Sequence, residues 1–274
     1  MTVGIVGLGL IGGSIGLALR DPQRRIVGLD LDKENERIAL ARGCVDRIVA
    51  IEEAAASDIV FVAAPPRATP SIVRRLLDLK HENTVLTDCA SVKGEVLCAL
   101  DDVLTKSSMF VGGHPMAGHE KSGPKYSSAW LFRNARWILT PDRRTQKAVV
   151  RRVEEVVKLM GAIPVRMDPA THDRHVAILS HVPHAAAAAL VALGAELESW
   201  EAGAGSWRDL TRVGGVDPNL WTQIMLGNRA ELAKALADLE RHLADLRNAL
   251  ENGDEAKVRE ILEHAKITKG KHEA

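Results

Sequence analysis

The chain has 274 residues, and its 36 basic and 36 acidic side chains give a formal net charge of zero at pH 7. This balance argues against a nucleic-acid-binding surface and against a polybasic membrane patch. The length predicts two domains. We expect a cytoplasmic protein without a membrane span, because apolar runs are shorter than roughly 20 residues, no signal peptide precedes the first strand, and the three cysteines lack disulfide or metal spacing.

A dinucleotide-binding turn is predicted near the N-terminus. The first β-branched run is followed by Gly7, Gly9 and Gly12 at GxGxxG spacing, and then by a small, apolar helix. In this arrangement Gly7 makes the tight turn, Gly9 lets the backbone approach a pyrophosphate, and Gly12 lets the helix pack closely on the strand. Leu10 and Ile11, whose amides open the helix, complete the predicted contacts of this turn with the cofactor.

Asp30 ends the second predicted strand, eighteen residues beyond Gly12. A carboxylate at this position can accept a hydrogen bond from the ribose 2′-hydroxyl and would repel a 2′-phosphate, so we expect NAD rather than NADP. Lys33 and Arg37 lie close enough in the sequence to leave this choice open. In the alternative interpretation, these two cations lie on the solvated face of the next helix and do not contact the cofactor.

Strands and helices alternate through the first part of the chain. Strands are predicted at 58–64, 84–88, 109–111, 137–141 and 163–166, and helices near 70–79, 92–104 and 144–160. This alternation indicates an α/β, Rossmann-like parallel sheet with helices on both faces, whose ligands lie beyond the carboxyl ends of the strands. Pro65, which follows the strand predicted at 58–64, either lines the cofactor site or forms a turn.

Two further polar residues are predicted at the same edge of the sheet. Ser91 is either a helix N-cap, which the local sequence favours, or a donor to a substrate hydroxyl. His114 lies in a ribbon of small residues, 112–123, which we predict to be a loop with little buried surface. Its imidazole is a candidate general base for alcohol oxidation beside a nicotinamide, and the alternative is an incidental histidine in a surface turn.

The second part of the chain shows only helical patterns. We therefore predict an NAD-binding domain over residues 1–167 and a helical substrate and dimerisation domain over 168–274. Long helices are predicted over 168–200 and 217–252. An alanine run that begins at residue 185 lets another helix approach closely, so we expect a homodimer through this domain.

Polar side chains of the helical domain are candidates for substrate binding. Pro183 lacks an amide hydrogen and is expected to kink the first long helix, aiming His184 into a cleft. The histidines of that helix are either metal ligands, for which a clear third ligand is lacking, or core and interface residues. Arg212 lies one helical turn beyond Arg208 and is either a clamp for a substrate carboxylate or a member of surface salt bridges.

These motifs together resemble the prephenate and arogenate dehydrogenase family of tyrosine biosynthesis. Besides the glycine turn with Asp30, the matching motifs are Asp88-x-x-Ser91-Val92-Lys93-Gly94, Gly113-His114-Pro115-Met116-Ala117-Gly118, Glu120-Lys121-Ser122-Gly123, His172-Asp173, Ser180-His181-x-Pro183-His184, and Arg208-Asp209-x-Thr211-Arg212 with Trp221. They follow in family order over nearly the whole chain. The GHPMAG and SHxPH motifs are far more specific than the glycine turn.

The resemblance implies the NAD(P)-dependent oxidative decarboxylation of a cyclohexadienol. Hydride leaves the ring carbon that bears the hydroxyl, the ring carboxylate leaves as carbon dioxide, and aromatisation drives the reaction. The family pattern implies that His114 takes the hydroxyl proton, that Ser91 positions both groups, and that Arg212 binds a substrate carboxylate. His184 and Arg208 are then expected to line the substrate pocket.

The identity of the substrate side chain depends on residues near the GHPMAG motif. Glu120 is expected to govern polarity and access there, and His119 stands where many family members have Thr or Ser. We expect prephenate as the substrate, with arogenate or dual specificity as the alternative.

Two other functions fit parts of the pattern. A β-hydroxyacid dehydrogenase joins similar domains but generally uses a lysine in its helical domain, where this chain has histidines and no lysine on the corresponding helix. A non-catalytic NAD-sensing protein would explain the glycine turn and Asp30. It gives no reason for a histidine, a serine and an arginine that converge at the nicotinamide edge.

Overall fold

A computed structural model describes residues 1–105, 108–119 and 121–273. Within these ranges, eight strands form one sheet in the order β3-β2-β1-β4-β5-β6-β7-β8. The strands are β1 (Thr2–Val6), β2 (Arg25–Leu29), β3 (Arg47–Ile48), β4 (Ile59–Val62), β5 (Val85–Asp88), β6 (Phe110–Pro115), β7 (Arg136–Thr140) and β8 (Ile163–Arg166).

Helices connect the strands and make up the second part of the chain. Those between strands are α1 (Leu10–Ala18), α2 (Lys33–Ala41), α3 (Ile51–Ala55), α4 (Thr69–Leu79), α5 (Gly94–Ala99) and α6 (Lys147–Leu159). Those that follow β8 are α7 (Pro169–Val176), α8 (Val182–Gly194), α9 (Gly205–Thr211), α10 (Pro218–Gly227), α11 (Arg229–Glu251) and α12 (Glu255–Glu273). Short 3₁₀ turns lie at Pro124–Tyr126 and Arg212–Gly215.

The sheet is parallel except at one pairing. Strands β1 to β6 run parallel, as does the pair β7 and β8, but β6 and β7 are antiparallel, with His114 opposite Ile138. Antiparallel neighbours need no crossover helix, and only the 3₁₀ turn lies among the described residues between these two strands. The predicted Rossmann-like α/β class is confirmed, although the sheet is mixed rather than wholly parallel.

Apolar layers cover both faces of the sheet. Val3, Ile5 and Phe61 pack with Trp137 and the valines of α6 on one face, while Val60 and Leu86 belong to the layer under α4 and α5 on the other. Alternate residues of a strand point to opposite faces, so near-continuous apolar strands are buried on both sides.

The prediction of a loop with little buried surface over 112–123 is wrong for its first four residues. Residues 112–115 are the buried end of β6. A Cβ on Gly113 would lie 2.5 Å from the Asp88 carbonyl oxygen, and one on Gly112 would lie 2.5 Å from Oγ1 of Thr140. The glycines therefore let β6 pack closely against its surroundings, and they place His114 in a strand.

Three other element predictions also differ from the structure. The short elements β3 and α3 were not predicted from the sequence, and the helix expected to reach residue 200 ends at Gly194. The helix expected over 217–252 breaks at Asn228, whose backbone angles are φ −119° and ψ 27°. A Cβ on the preceding Gly227 would lie 2.3 Å from Oε2 of Glu95, so the helix packs closely against α5 just before the break.

Pro183 does distort the first long helix, but through a π-helical turn. The turn spans Ala177–His181, and the amide of Val182 donates to the carbonyl of Ala177. This wider hydrogen-bond spacing precedes the position at which proline cannot donate, so α7 and α8 stay continuous.

The chain consists of two compact units, one over residues 1–229 and the other over residues 230–274. The first unit holds the whole sheet and helices α1 to α10. The second consists of α12 and all of α11 except its first residue. The functional boundary predicted between residues 167 and 168 is a different division, and it stays a prediction.

The segment Pro169–Gly194 is long and apolar enough to cross a membrane by length and composition. This finding differs from the expectation that no such run exists, because alanine, leucine and valine dominate a window with a mean hydropathy of 1.8. Helices that pack within proteins meet the same criterion. Only 22% of the window is buried, which leaves much of its apolar surface uncovered.

Candidate functional site

The candidate site is built at the carboxyl ends of the parallel strands, where ligands of open α/β sheets bind. The glycine turn follows β1, Asp30 follows β2, Pro65 follows β4, and Ser91 follows β5. His114 lies near the carboxyl end of β6, which runs parallel to β5. The sheet therefore places the predicted cofactor and catalytic residues along one edge.

The glycine turn has the geometry that a bound pyrophosphate requires. Gly7 has a φ of +94°, and a Cβ there would lie 2.5 Å from the Ala63 carbonyl oxygen. A Cβ on Gly12 would lie 1.8 Å from the Gly7 carbonyl oxygen, whereas one on Gly9 would meet nothing within 4 Å. Gly9 is also the N-cap of α1 and makes no side-chain cap, so the first helix amides are available to a phosphate.

The Asp30 carboxylate is fixed by the turn that it follows. Its Oδ2 accepts a hydrogen bond from the Leu8 amide at 2.6 Å, and its Oδ1 accepts one from the Asp32 amide at 2.8 Å. The two nearby cations are paired with acids of the same helix. Lys33 Nζ lies 2.9 Å from Glu36, and Arg37 binds Glu34 through two nitrogens, the closer at 2.6 Å. The edge that would meet the ribose thus presents a carboxylate.

His114 is almost completely buried, with 8% of its surface exposed. Its Nδ1 lies 2.8 Å from Nε2 of His172, which comes from α7, and the two rings meet edge to face. Burial holds the pKa of His114 well below its ordinary value, and the nearby His172, Lys93 and His181 lower the pKa further. The imidazole is therefore uncharged at neutral pH, as a general base must be.

Asp173 supports His172 through a hydrogen bond. Its Nδ1 lies 2.7 Å from Oδ1 of Asp173, and the same carboxylate accepts from the amides of Lys93 at 2.9 Å and Gly94 at 2.7 Å. Burial would raise the pKa of Asp173, but the hydrogen bonds from His172 and from these two amides outweigh it and lower the pKa. Asp173, a residue of α7, is thus an ionised carboxylate that can only accept, and it caps the first amides of α5.

The interpretation of Ser91 as an N-cap is wrong. Helix α5 begins at Gly94, its N-cap is Lys93, and Asp173 from α7 accepts from its first amides. A remote carboxylate has therefore taken the place that a local serine was expected to fill. Ser91 stays half-buried, two residues before this cap.

A buried ion pair lies beneath His114. Lys93 Nζ contacts Oδ2 of Asp88 and donates to the carbonyl of Gly113 at 2.7 Å, and both side chains of the pair are fully buried. Oδ1 of Asp88 also accepts from the Gly113 amide at 3.1 Å. This network joins the end of β5 to the strand that carries His114.

Both histidines of the SHxPH motif, His181 and His184, contact Trp221. His184 stacks on its indole with ring centroids 3.5 Å apart, and its Nδ1 donates to the Ser180 carbonyl at 2.8 Å. Burial lowers the pKa of His184, the bond to Ser180 opposes the shift, and the positive charge of Arg212 adds to it. The 3₁₀ turn that begins at Arg212 packs on α8, which brings the Arg212 charge close enough to lower the pKa of His184.

His181 lies three residues before His184 and is buried, with its ring edge-to-face to the Trp221 indole. Asn228 lies 3.2 Å from its Nδ1 and also donates to the Asp173 carbonyl at 2.7 Å. Burial lowers the pKa of His181 to about 4, against an opposing effect of Asp173 and with a further contribution from other histidines. Among the residues that the structure describes, no group of three His, Cys, Asp or Glu side chains is arranged to hold a metal ion.

Some predicted site residues are not drawn into this cluster. Arg208 is exposed on α9, and Pro65 is exposed in the loop after β4. His119 is exposed and stacks on Tyr126 with ring centroids 6.5 Å apart. Glu120 lies outside the described residues.

Sequence reasoning did not assign roles to His172, Asp173 and Asn228. The only sequence signal for His172 and Asp173 is that a histidine and a carboxylate are adjacent on a predicted helix, in a motif shared with the family. Asn228 gave no signal, because it was placed inside a continuous helix.

Two family models match the chain in succession. Residues 15–165 match the nucleotide-binding domain of prephenate dehydrogenase, and residues 168–264 match its dimerization domain. Prephenate dehydrogenase from Bacillus subtilis is 36% identical to this chain over 267 residues, which cover 92% of this chain and 71% of the relative.

Solved structures of similar proteins agree with this match. Prephenate dehydrogenase from Aquifex aeolicus, crystallised with hydroxyphenyl propionate and NAD⁺, superposes with a TM-score of 0.91 at 32% identity, covering 99% of this chain and 98% of the other. Arogenate dehydrogenase from Synechocystis superposes with a TM-score of 0.85 at 28% identity, covering 99% of this chain and 100% of the other.

Proposed function

The chain belongs to the prephenate dehydrogenase family, and we propose that it catalyses the NAD-dependent oxidative decarboxylation of prephenate to 4-hydroxyphenylpyruvate in tyrosine biosynthesis. The observation that carries the proposal is the buried, uncharged His114 on the sheet edge that also holds the glycine turn. An uncharged imidazole there has a nitrogen available to a substrate hydroxyl, because only Nδ1 is bonded to His172.

The residues around the glycine turn fit the cofactor NAD. The open side of Gly9 and the free amides of α1 suit a pyrophosphate, and Asp30 suits a ribose diol. We assign cofactor contacts to a set of residues at the ends of β1, β2 and β4: Gly7, Gly9, Leu10, Ile11, Gly12, Asp30 and Pro65. When bound, NAD supplies an acceptor for the hydride that leaves the hydroxyl-bearing ring carbon as the carboxylate departs.

His114 moves one proton in each direction during this reaction. Its Nε2 takes the hydroxyl proton as the carbon–hydrogen bond breaks, and returns it to the same oxygen as carbon dioxide leaves and the ring becomes aromatic. No net proton is released, so the base is regenerated in each turnover. General base catalysis of this kind contributes roughly 10²- to 10⁴-fold to the rate.

Other side chains bind the substrate in this proposal. Ser91 orients the ring hydroxyl toward His114, and Arg212 binds a substrate carboxylate, for which a guanidinium offers two parallel donors. His184 lines the pocket, supported by its stacking on Trp221. Arg208, His119 and Glu120 are assigned to the surroundings of the substrate side chain on sequence grounds alone.

We further propose a cytoplasmic homodimer assembled through the predicted domain 168–274. The family model for residues 168–264 is described as a dimerization domain. Apolar side chains on the long helix support this assignment, since Leu179 is 73% exposed and Leu193 is 62% exposed in the single chain. Sedimentation should give twice the mass of one chain, and Leu193→Glu should shift the protein toward the monomer.

Initial rates of NADH formation with prephenate and with arogenate, each repeated with NADP, test the proposed activity. Prephenate with NAD is expected to give the highest kcat/KM. A preference for arogenate would keep the chemistry and change the substrate. Absence of turnover with both compounds would refute the proposal.

A further inference from the structure

We infer that His172 and Asp173 are positioning residues, which hold uncharged His114 in the tautomer with its hydrogen on Nδ1 and its lone pair on Nε2. The inference rests on the proposed function, in which Nε2 of His114 receives the substrate proton. It assigns a task to a pair of buried side chains that act through His114.

His114, His172 and Asp173 form a hydrogen-bonded series, and the direction of each bond follows from Asp173 at its end. Asp173 is an ionised carboxylate and can only accept, so Nδ1 of His172 carries the hydrogen of the 2.7 Å contact. With that single hydrogen on its ring, His172 has its lone pair on Nε2. In this form of His172, the 2.8 Å contact with His114 is a hydrogen bond donated by Nδ1 of His114, which leaves Nε2 bare.

The carboxylate that sets this direction is held rigidly. Asp173 accepts from the amides of Lys93 and Gly94 in addition to His172, so its side chain cannot rotate without losing two bonds to the start of α5. His172 itself is fully buried. Asn228 donates to the Asp173 carbonyl and fixes the backbone at the same point. A support of this kind is what a single tautomer requires.

The charged and titratable groups around His114 disfavour a positive charge on its ring. Beside burial, His172, Lys93 and His181 all lower the pKa of His114, and Lys93 is itself paired with Asp88. When His114 takes a proton, its Nδ1 still donates to His172, so no hydrogen bond has to reverse. The arrangement thus needs no reorganisation in the proton transfer step.

Nitrogen NMR of the histidine-labelled enzyme tests the tautomer directly, without substrate or NAD. The chain has 10 histidines, and the His114 signals are identified by their loss in His114→Gln. A hydrogen on Nδ1 and a bare Nε2 at neutral pH are expected. A hydrogen on Nε2, or an equal mixture of the two forms, would overturn the inference even if the enzyme turns over prephenate.

Two substitutions of His172 provide the kinetic test. In His172→Gln the amide oxygen can accept from His114 while the amide nitrogen donates to Asp173, so kcat should stay within about tenfold of the parent value. His172→Leu removes the acceptor, and kcat should fall by roughly 10²- to 10⁴-fold with KM and NAD affinity little changed. A packing role predicts equal losses for the two variants, and equal losses would contradict the positioning role.

The two measurements separate this inference from the proposed function. If the parent enzyme does not oxidise prephenate or arogenate, the proposed function fails while the NMR experiment still reports the tautomer. If His172→Leu does not fold, the tautomer of the parent enzyme remains the deciding result.

Discussion

The close fit between Gly94 and Asp173 makes a single methyl group a sharp probe of the site. A Cβ at position 94 would lie 2.7 Å from Oδ2 of Asp173, the atom that accepts from the Gly94 amide. Carbon and oxygen do not approach so closely, so Gly94→Ala must displace the carboxylate. Because that carboxylate also holds His172, the displacement is transmitted to His114.

The expected energies are set by two opposing effects. Weakening a hydrogen bond to a charged acceptor costs about 1.5 to 3 kcal/mol, and replacing glycine by alanine in a compatible backbone returns about 0.4 to 1 kcal/mol. We therefore expect Gly94→Ala to lower the free energy of unfolding by about 1 to 2 kcal/mol. The misplaced support should also lower kcat by roughly 10- to 100-fold.

Gly205→Ala is the matched control. Gly205 opens helix α9 as Gly94 opens α5, but a Cβ there would meet nothing within 4 Å. Urea unfolding and kcat of both variants should be measured together, and the control should be slightly more stable than the parent with unchanged kcat. If Gly94→Ala behaves like Gly205→Ala in both assays, the proposed link from α5 through Asp173 to the base is wrong.

Three further predictions concern pH, substrate binding and cofactor choice. The pKa of His181 is about 4 in the folded chain and near 6.5 when unfolded, so stability is complete above pH 6.5 and falls as the pH is lowered toward 4. Urea midpoints across this range should reveal a loss of about 3 kcal/mol from this residue, and His181→Gln should flatten the dependence. Arg212→Gln should raise the KM for prephenate roughly 10- to 100-fold with a smaller effect on kcat, and an unaltered KM excludes the carboxylate clamp. Asp30→Ser should reduce the preference for NAD over NADP at least about tenfold in kcat/KM, and an unchanged ratio would remove Asp30 from cofactor selection.

The parts of the site that depend on consecutive residues were predictable from the sequence. The glycine turn needs only a strand, three glycines and a helix in succession, and the structure has Gly7 at positive φ and Gly12 in close contact, as expected. Asp30 was identified by its distance from the turn, and its carboxylate does bond the turn at Leu8. Local geometry determines these features, so a local pattern identifies them.

The parts that depend on distant residues were not predictable. His114 and His172 are 58 positions apart, and their contact exists only because β6 and α7 pack together. Ser91 has the side chain of a helix N-cap, but the first amides of α5 donate instead to Asp173, which belongs to another helix. At the helix break, the Asn228 side chain likewise bonds the carbonyl of Asp173, a contact across 55 positions that the helical pattern does not reveal.

The most direct test of the whole account is the kcat of His114→Asn with prephenate and NAD, measured beside the dissociation constant for NAD. The account predicts that kcat falls by two or more orders of magnitude, because the proton acceptor is lost, while the affinity for NAD stays within about twofold. A near-normal kcat would contradict the role of His114 as the base, and with it the central claim about the site.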